Sequence, residues 1–132
     1  MTRDSFKHYI LGIPEMDDQH WELFEILNSI EYAVQSGASI ENIRVYLDDF
    51  FNKLSEHCAD EEKLMQSCNY PYYEHHKATH PESSMQLMKQ KDLIDDHLPY
   101  VDYNTMLILL RDHIDHADQQ YVTFYKKYHN LI

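Results

Sequence analysis

The sequence is poor in residues that break or reverse a chain, since its 132 residues include only two Gly and four Pro. So few turn-forming residues exclude a β fold of many short strands, which needs frequent tight turns. The two cysteines, Cys58 and Cys68, are too few for a disulfide framework and point away from a thiolate metal site, so we expect both to be reduced. The length fits one compact domain with one core.

Long apolar runs and basic residues are also scarce. No apolar run approaches the ~20 residues that cross a bilayer, and the N-terminus lacks the apolar stretch of a signal peptide. The formal net charge is -12, so nucleic acid and anionic membrane surfaces would repel the chain. We therefore expect a cytoplasmic, globular protein, 43% hydrophobic in composition, that binds neither nucleic acid nor membrane.

Apolar residues recur at three- and four-residue steps, which predicts an all-α, up-down-up-down four-helix bundle with an irregular N-terminal arm. Predicted N-caps are Asp17 for the first helix, Ser39 for the second and Asp102 for the fourth. Breaks are predicted at Asn69–Pro71 and Leu98–Pro99. The predicted single domain, 1–132, has an arm at 1–16 and helices at about 17–36, 40–67, 71–93 and 102–128.

Histidine is abundant, with ten residues in the chain. His57 and Glu61 lie four residues apart, as do His76 and His80, so each pair occupies one helix face. For one such pair a solvated surface is the ordinary explanation. Two pairs with apolar neighbours favour a shared metal, because buried ionisable groups without partners are costly. The candidate ligands are His20, His57, Glu61, His76, His80, His113 and Asp118; the histidines expected at the surface are His8, His75, His97, His116 and His129.

Five imidazoles and two carboxylates exceed what one tetrahedral zinc takes, and they cannot saturate two octahedral metals. Imidazole suits iron, zinc and copper, and carboxylates can bridge two metals, so one coordination position stays open for a small ligand. His113 and Asp118 are five residues apart, about 140° on a regular helix. Both can reach the metal only if the helix widens into a π-bulge near Ile114–Ala117. A regular helix with Asp118 facing solvent would exclude the seven-ligand site.

Taken together and in order, these pieces resemble the bacterial hemerythrins over about residues 10–125. The matching motifs are Asp17-Asp18-Gln19-His20, His57-Cys-Ala-Asp-Glu61-Glu-Lys-Leu-Met65, His76-x3-His80 and His113-Ile-x3-Asp118-x2-Tyr121. The resemblance implies two iron ions, Fe²⁺ or Fe³⁺, with an oxo or hydroxo bridge. It implies that His76, His80 and His113 bind one iron, that His20 and His57 bind the other, and that Glu61 and Asp118 bridge them. Dioxygen would bind at the open position of the second iron.

The oxygen pocket of that family corresponds here to Cys58, Leu109, Leu110 and Ile114. Cys58 stands where the family usually has Phe, and Leu109 where it usually has Trp. Smaller side chains should enlarge the pocket or admit water, unless some of the eleven tyrosines fill the space. We therefore expect faster autoxidation than in a dedicated oxygen carrier.

Three functions follow from these patterns. The first is reversible binding of dioxygen, or of another small diatomic ligand, for oxygen storage, delivery or sensing, by a monomer that is not an enzyme. The second is a di-iron redox enzyme with a redox partner: a peroxidase, a nitric-oxide reductase or an oxygen-scavenging oxidase. The third is an oxygen- or redox-sensing domain of a larger signalling protein, although the initial Met and the lack of a long linker favour a stand-alone protein.

Overall fold

The computed structural model describes residues 1–92 and 103–131, and within these ranges it is helical with no strand. In chain order the elements are α1 (Arg3–Phe6), a 3-10 turn (Lys7–Tyr9), α2 (Pro14–Gln35), α3 (Ile40–Ser67), α4 (Tyr73–Asp92), α5 (Tyr103–Asp112), a π-helical segment (His113–Asp118) and α6 (Gln119–Tyr128). Helix α2 packs on α3 and α5, and α4 packs on the same two helices, which closes a ring of four. The predicted all-α helical bundle is confirmed.

The connection between α2 and α3 reverses the chain within four residues. Gly37 has a φ of 72°, and the N–H of Ala38 donates to the Ala33 carbonyl at 2.9 Å. This is a Schellman motif, in which a residue without a Cβ takes up the left-handed conformation. Ser39 then caps α3, because its hydroxyl accepts from the Asn42 N–H at 3.2 Å. The predicted N-cap at Ser39 is confirmed.

The connection between α3 and α4 uses the same motif with Asn in place of Gly. Asn69 has a φ of 55°, and the N–H of Tyr70 donates to the Met65 carbonyl at 3.0 Å. Asn tolerates this conformation better than other residues that carry a Cβ. Pro71 lies in the turn that follows, and α4 begins at Tyr73, two residues later than the sequence suggested.

The N-terminal arm is more ordered than expected. The prediction that residues 1–16 are irregular is wrong, since the arm contains α1 and a 3-10 turn, and α2 begins within it at Pro14. Phe6 is 2% exposed, and its ring centroid lies 5.2 Å from that of Trp21 and 5.7 Å from that of Phe24. Apolar burial against α2 therefore orders a segment whose own sequence shows no clear period.

Asp17 was predicted to cap the first bundle helix, and that prediction is wrong. The helix begins three residues earlier, with Pro14 in its first turn, where the missing N–H leaves no donor unsatisfied. The Asp17 carboxylate instead accepts from the N–H groups of Leu11 and Gly12, at 2.7 and 3.0 Å. Asp17 thus fixes the loop that precedes α2, from within the helix.

The last bundle helix is interrupted by the π-helical segment His113–Asp118. The predicted widening near Ile114–Ala117 is confirmed. Leu98–Pro99 and Asp102, predicted as a break and an N-cap, lie outside the described residues. Helix α4 has an irregularity of its own, because Pro81 lies in its interior. Proline there removes one backbone donor and crowds the carbonyl four residues earlier, that of Lys77.

Apolar side chains from every element of the bundle form one core, including Leu23, Phe24, Leu47, Phe50, Met65, Leu87, Met106, Leu110, Ile114 and Tyr121. Within this core lie five polar side chains that are also buried: His20, His57, Glu61, His76 and His80. Searched over its described residues, the chain has no helix both long and apolar enough to span a bilayer.

Candidate metal centre

Six of the seven predicted ligands come together in the middle of the bundle. The buried ones are at most 6% exposed, and His113 is half-buried. Helix α2 supplies His20, α3 supplies His57 and Glu61, α4 supplies His76 and His80, and the π-helical segment begins with His113. The four-residue spacing within α3 and within α4 holds each pair on one helix face, as expected.

Glu61 is the centre of the arrangement. Its Oε1 lies 2.7 Å from His76 Nε2 and 2.8 Å from His80 Nε2. Its Oε2 lies 3.4 Å from His57 Nε2 and accepts from the Tyr121 hydroxyl at 3.2 Å. The two carboxylate oxygens therefore face different histidines, Oε1 toward α4 and Oε2 toward α3.

The donor atoms form two groups that share Glu61. One group is Glu61, His76, His80 and His113; the other is His20, His57 and Glu61; in each group the potential ligand atoms lie within 4.8 Å of one another. The Nε2 atoms of His20 and His57 face each other at 3.0 Å. Nitrogen and carboxylate donors that converge this closely from four elements can hold metal ions, and the shared carboxylate suits a pair of them.

The protonation of Glu61 agrees with this geometry. Burial alone would raise the pKa of the carboxyl, but hydrogen bonds with His57, His76 and His80 outweigh burial and hold its pKa well below the ordinary value. The carboxylate is therefore negative at neutral pH although Glu61 is fully buried. A buried anion of this kind is the ligand type that offsets the charge of a metal ion.

Two polar residues that we did not single out from the sequence fix the orientation of His57. Its Nδ1 lies 2.8 Å from Gln19 Oε1, and Gln19 Nε2 in turn donates to Asp60 Oδ2 at 2.8 Å. Because Gln19 presents a carbonyl oxygen to His57 Nδ1, it fixes the ring with Nε2 directed at the centre, where a metal ion would take the place of the proton that Nε2 shares with Glu61. Both residues lie beside a candidate ligand in the sequence, which is the only signal that could have found them.

Asp118, the seventh predicted ligand, has a backbone position within the π-helical segment. Its side chain lies outside the described part of the structure, so its role as a ligand stays a prediction. Three of the histidines assigned to the surface are exposed, as predicted: His8, His75 and His129. His97, and the side chain of His116, lie outside the description as well.

A small cavity adjoins the centre. Its volume is about 10 Å³, close to the room that one water-sized molecule needs. Three of the four predicted pocket residues line it, and the full lining is Leu54, Cys58, His80, Ser84, Leu87, Leu109, Leu110 and His113. Ile114, the fourth, is fully buried but is not part of this lining. The cavity touches His80 and His113, not the His20–His57 pair beside which the open position was expected.

The space beside Cys58 and Leu109 has neither become a large internal pocket nor been filled by tyrosine. The small cavity has about 10 Å³, and none of the described residues that line it is a tyrosine. The additional room lies outside, in a groove of about 440 Å³ between α3 and α4 that also reaches Cys58.

Comparison with known proteins agrees with this centre. The model of the hemerythrin HHE cation binding domain matches residues 11–125. The chain belongs to the hemerythrin family. Bacteriohemerythrin from Campylobacter jejuni subsp. jejuni is 25% identical over 118 residues, which cover 85% of this chain and 86% of that protein. Bacteriohemerythrin from Stenotrophomonas maltophilia is 31% identical over 70 residues, covering 53% of this chain and 45% of its own length. No solved structure matches the chain at a significant level.

The matched segment begins before α2 and ends within α6. Residues 11–125 contain the Asp17 loop, all six converging side chains and the π-helical segment. Tyr121, which donates to Glu61, is also within it and lies at 0% exposure. The hemerythrin motif in this chain thus combines residues that face the centre with residues, such as Asp17, that position the helix start.

Proposed function

We propose that this chain is a non-haem di-iron protein that reversibly binds dioxygen at one iron. The observation that carries the proposal is the orientation of the Glu61 carboxylate. Its Oε1 faces His76 and His80, while its Oε2 faces His57. A carboxylate with its two oxygens directed at two sets of imidazoles is suited to bridge two metals. Membership of the hemerythrin family supports iron as the metal.

The ligand assignment follows from the two donor groups. One iron would be held by the three imidazoles of α4 and the π-helical segment, and the other by the two imidazoles of α2 and α3. Glu61 would be shared, with Asp118 as the second shared carboxylate. The complete proposed set is His76, His80 and His113 for the first iron, His20 and His57 for the second, and Glu61 and Asp118 for both.

When bound, the iron pair would supply two electrons and one open coordination position for dioxygen. The protein's own residues would do three things. Buried leucines around the cavity would exclude bulk water. Gln19 would keep His57 Nε2 directed at the centre. Tyr121 would hold the Oε2 side of Glu61 in place through its hydroxyl.

The direct test begins with metal analysis of the purified protein. We expect about two iron ions per chain in the wild type and a marked loss in His76→Ala. The neighbouring His75 is exposed on the same helix, so His75→Ala is a matched control that should retain both ions. A single zinc ion per chain, or equal iron content in the two variants, would contradict the proposal.

The second part of the test follows the visible spectrum of the anaerobically reduced protein after exposure to air. A charge-transfer band that appears with air and disappears on deoxygenation supports reversible oxygen binding for storage, delivery or sensing. Direct conversion to a ferric spectrum would instead favour the redox-enzyme alternative: a peroxidase, a nitric-oxide reductase or an oxygen-scavenging oxidase.

A further inference from the structure

A groove beside the centre runs along the outside of the bundle between α3 and α4. Its volume is about 440 Å³, and its walls are partly apolar. From α3 they include Phe51, Leu54 and Cys58, and from α4 they include His80, Ser84 and Met88. The groove is open to solvent, whereas the 10 Å³ cavity beside the candidate ligands is buried in the core.

The groove and the cavity meet at four residues, since both are lined by Leu54, Cys58, His80 and Ser84. On the inner side of these four side chains lie Leu109, Leu110 and His113. Only one layer of side chains therefore separates the solvent in the groove from the space that touches two candidate metal ligands.

His80 supplies an independent sign that small molecules reach this layer. The side chain is 6% exposed and its Nε2 is bound to Glu61, yet its Nδ1 has no hydrogen-bond partner among the described residues. That nitrogen is 3.9 Å from Glu62 Oε2, beyond hydrogen-bond distance, and Glu62 is also part of the groove wall. Buried polar atoms are normally satisfied, so this nitrogen indicates that a molecule as small as water can reach the layer from the groove.

The irregularity of α4 lies at the same place. Pro81 follows His80 directly and lines the groove together with Lys77, whose carbonyl loses its helical donor to the proline. A proline in a helix interior weakens the turn that precedes it. The sequence thus places a helix-weakening residue in the groove wall, directly after the candidate ligand His80.

We propose that this groove is the entry path by which small, uncharged molecules reach the metal centre, and that Cys58 and Ser84 set the size of what can pass. The proposal rests on the proposed function, because it concerns access to the same centre. The apolar part of the groove wall, which includes Phe51, Leu54 and Met88, suits a diatomic molecule such as dioxygen. Any molecule that follows this path passes the half-buried Cys58 thiol.

The first test is thiol labelling of the full chain with maleimides of increasing size. Cys68 is the internal control, because it is fully buried, its Sγ donates to the Met65 carbonyl, and burial raises the pKa of its thiol. We expect Cys58 to react at least about tenfold faster than Cys68 with a small maleimide, and to lose that advantage with a bulky one. Equal rates for the two cysteines with the small reagent would overturn the entry path. Labelling does not depend on iron, so its result stands whether or not the proposed function holds.

The second test uses a substitution on α4, the opposite wall of the groove from Cys58. Ser84→Phe should slow dioxygen binding to the reduced, iron-loaded protein by about tenfold, followed by visible absorption after rapid mixing, while final occupancy is unchanged. The control is Ser29→Phe, since Ser29 is half-buried on α2, away from the groove. If Ser84→Phe does not fold, wild-type protein with the small maleimide attached at Cys58 replaces it. An unchanged rate of dioxygen binding in the narrowed protein would overturn the path, whereas absence of iron would count against the proposed function alone.

Discussion

The two histidine groups that share Glu61 have the same chemistry but different surroundings. On the α2–α3 side, His57 is held through Nδ1 by Gln19, which is itself held by Asp60. On the α4 side, His80 has an Nδ1 without a hydrogen-bond partner in the described structure and lies against both the cavity and the groove. His57 is therefore fixed by its protein neighbours, whereas His80 lies against the proposed entry path.

This difference bears on where a ligand would bind. The resemblance implies an open position on the iron of His20 and His57, whereas the cavity touches His80 and His113. A molecule that enters between α3 and α4 would pass the first iron's ligands before it reached the second iron. Substitutions on each side of the centre can separate the two groups, and a substitution at Glu61 should remove both metal positions.

Glu61→Ala should have the largest effect, because it removes the one described residue that belongs to both donor groups. Loss of a residue that only hydrogen-bonds to a metal ligand typically costs roughly 10–100-fold in metal affinity. We expect a greater loss here, at both metal positions. Iron per chain, measured by elemental analysis, should fall toward zero. Glu56→Ala is the control, an exposed glutamate on the same helix. Retention of one full iron would show that the two groups bind independently.

Gln19→Leu should affect only the α2–α3 side. Loss of the amide oxygen frees His57 to rotate or change tautomer, which should lower affinity at that side by about 10–100-fold. Anaerobic titration with ferrous iron against a competing chelator would resolve one weakened and one unchanged site. Gln35→Leu, on the exposed end of the same helix, should leave both unchanged. An equal weakening of the two sites would mean that the sides are not separately supported.

Cys58→Phe should affect the surroundings of His80, although Cys58 itself is on α3. The larger side chain would fill space shared by the groove and the cavity. Because less water would reach the centre, the oxygenated form should decay about threefold to tenfold more slowly, as followed by visible absorption. Cys58→Ala separates the loss of the thiol from the gain of volume and should not slow the decay. A decay rate in Cys58→Phe equal to the wild type would contradict our expectation that the small residues here promote autoxidation.

Asp17→Ala should have the smallest effect and should spare the metal. It removes two hydrogen bonds from the N–H groups of Leu11 and Gly12 to a charged, half-buried carboxylate. The free energy of unfolding should fall by about 1–2 kcal/mol, measured by urea denaturation. Asp18→Ala, at the exposed next position, should change it by less than about 0.5 kcal/mol. A larger loss in Asp18→Ala than in Asp17→Ala would argue against the loop contact.

Sequence spacing predicted the parts of this structure that depend on helical geometry alone. The His57–Glu61 and His76–His80 pairs, the Ser39 cap and the π-helical segment after His113 follow from counting residues along one helix. The N-terminal arm was missed because Phe6 is ordered by Trp21 and Phe24, which are distant in sequence. The Gln19–Asp60 contact joins two helices, so no period within one helix reveals it. The groove lies between α3 and α4, so no spacing within one helix reveals it.

The π-helical segment has a consequence for everything that follows it in the chain. His113 and Tyr121 are eight residues apart, which turns their side chains about 80° from each other on a regular helix. A π-bulge absorbs one extra residue, so the effective separation is seven steps and the angle shrinks to about 20°. The one extra residue of the π-helical segment therefore keeps His113 and Tyr121 on nearly the same helix face. The Tyr121 hydroxyl lies 3.2 Å from Glu61 Oε2. Deleting a single residue between His113 and Asp118 would leave seven regular steps from His113 to Tyr121, so α6 should keep its orientation, with Tyr121 beside Glu61 and Phe124 against Tyr70.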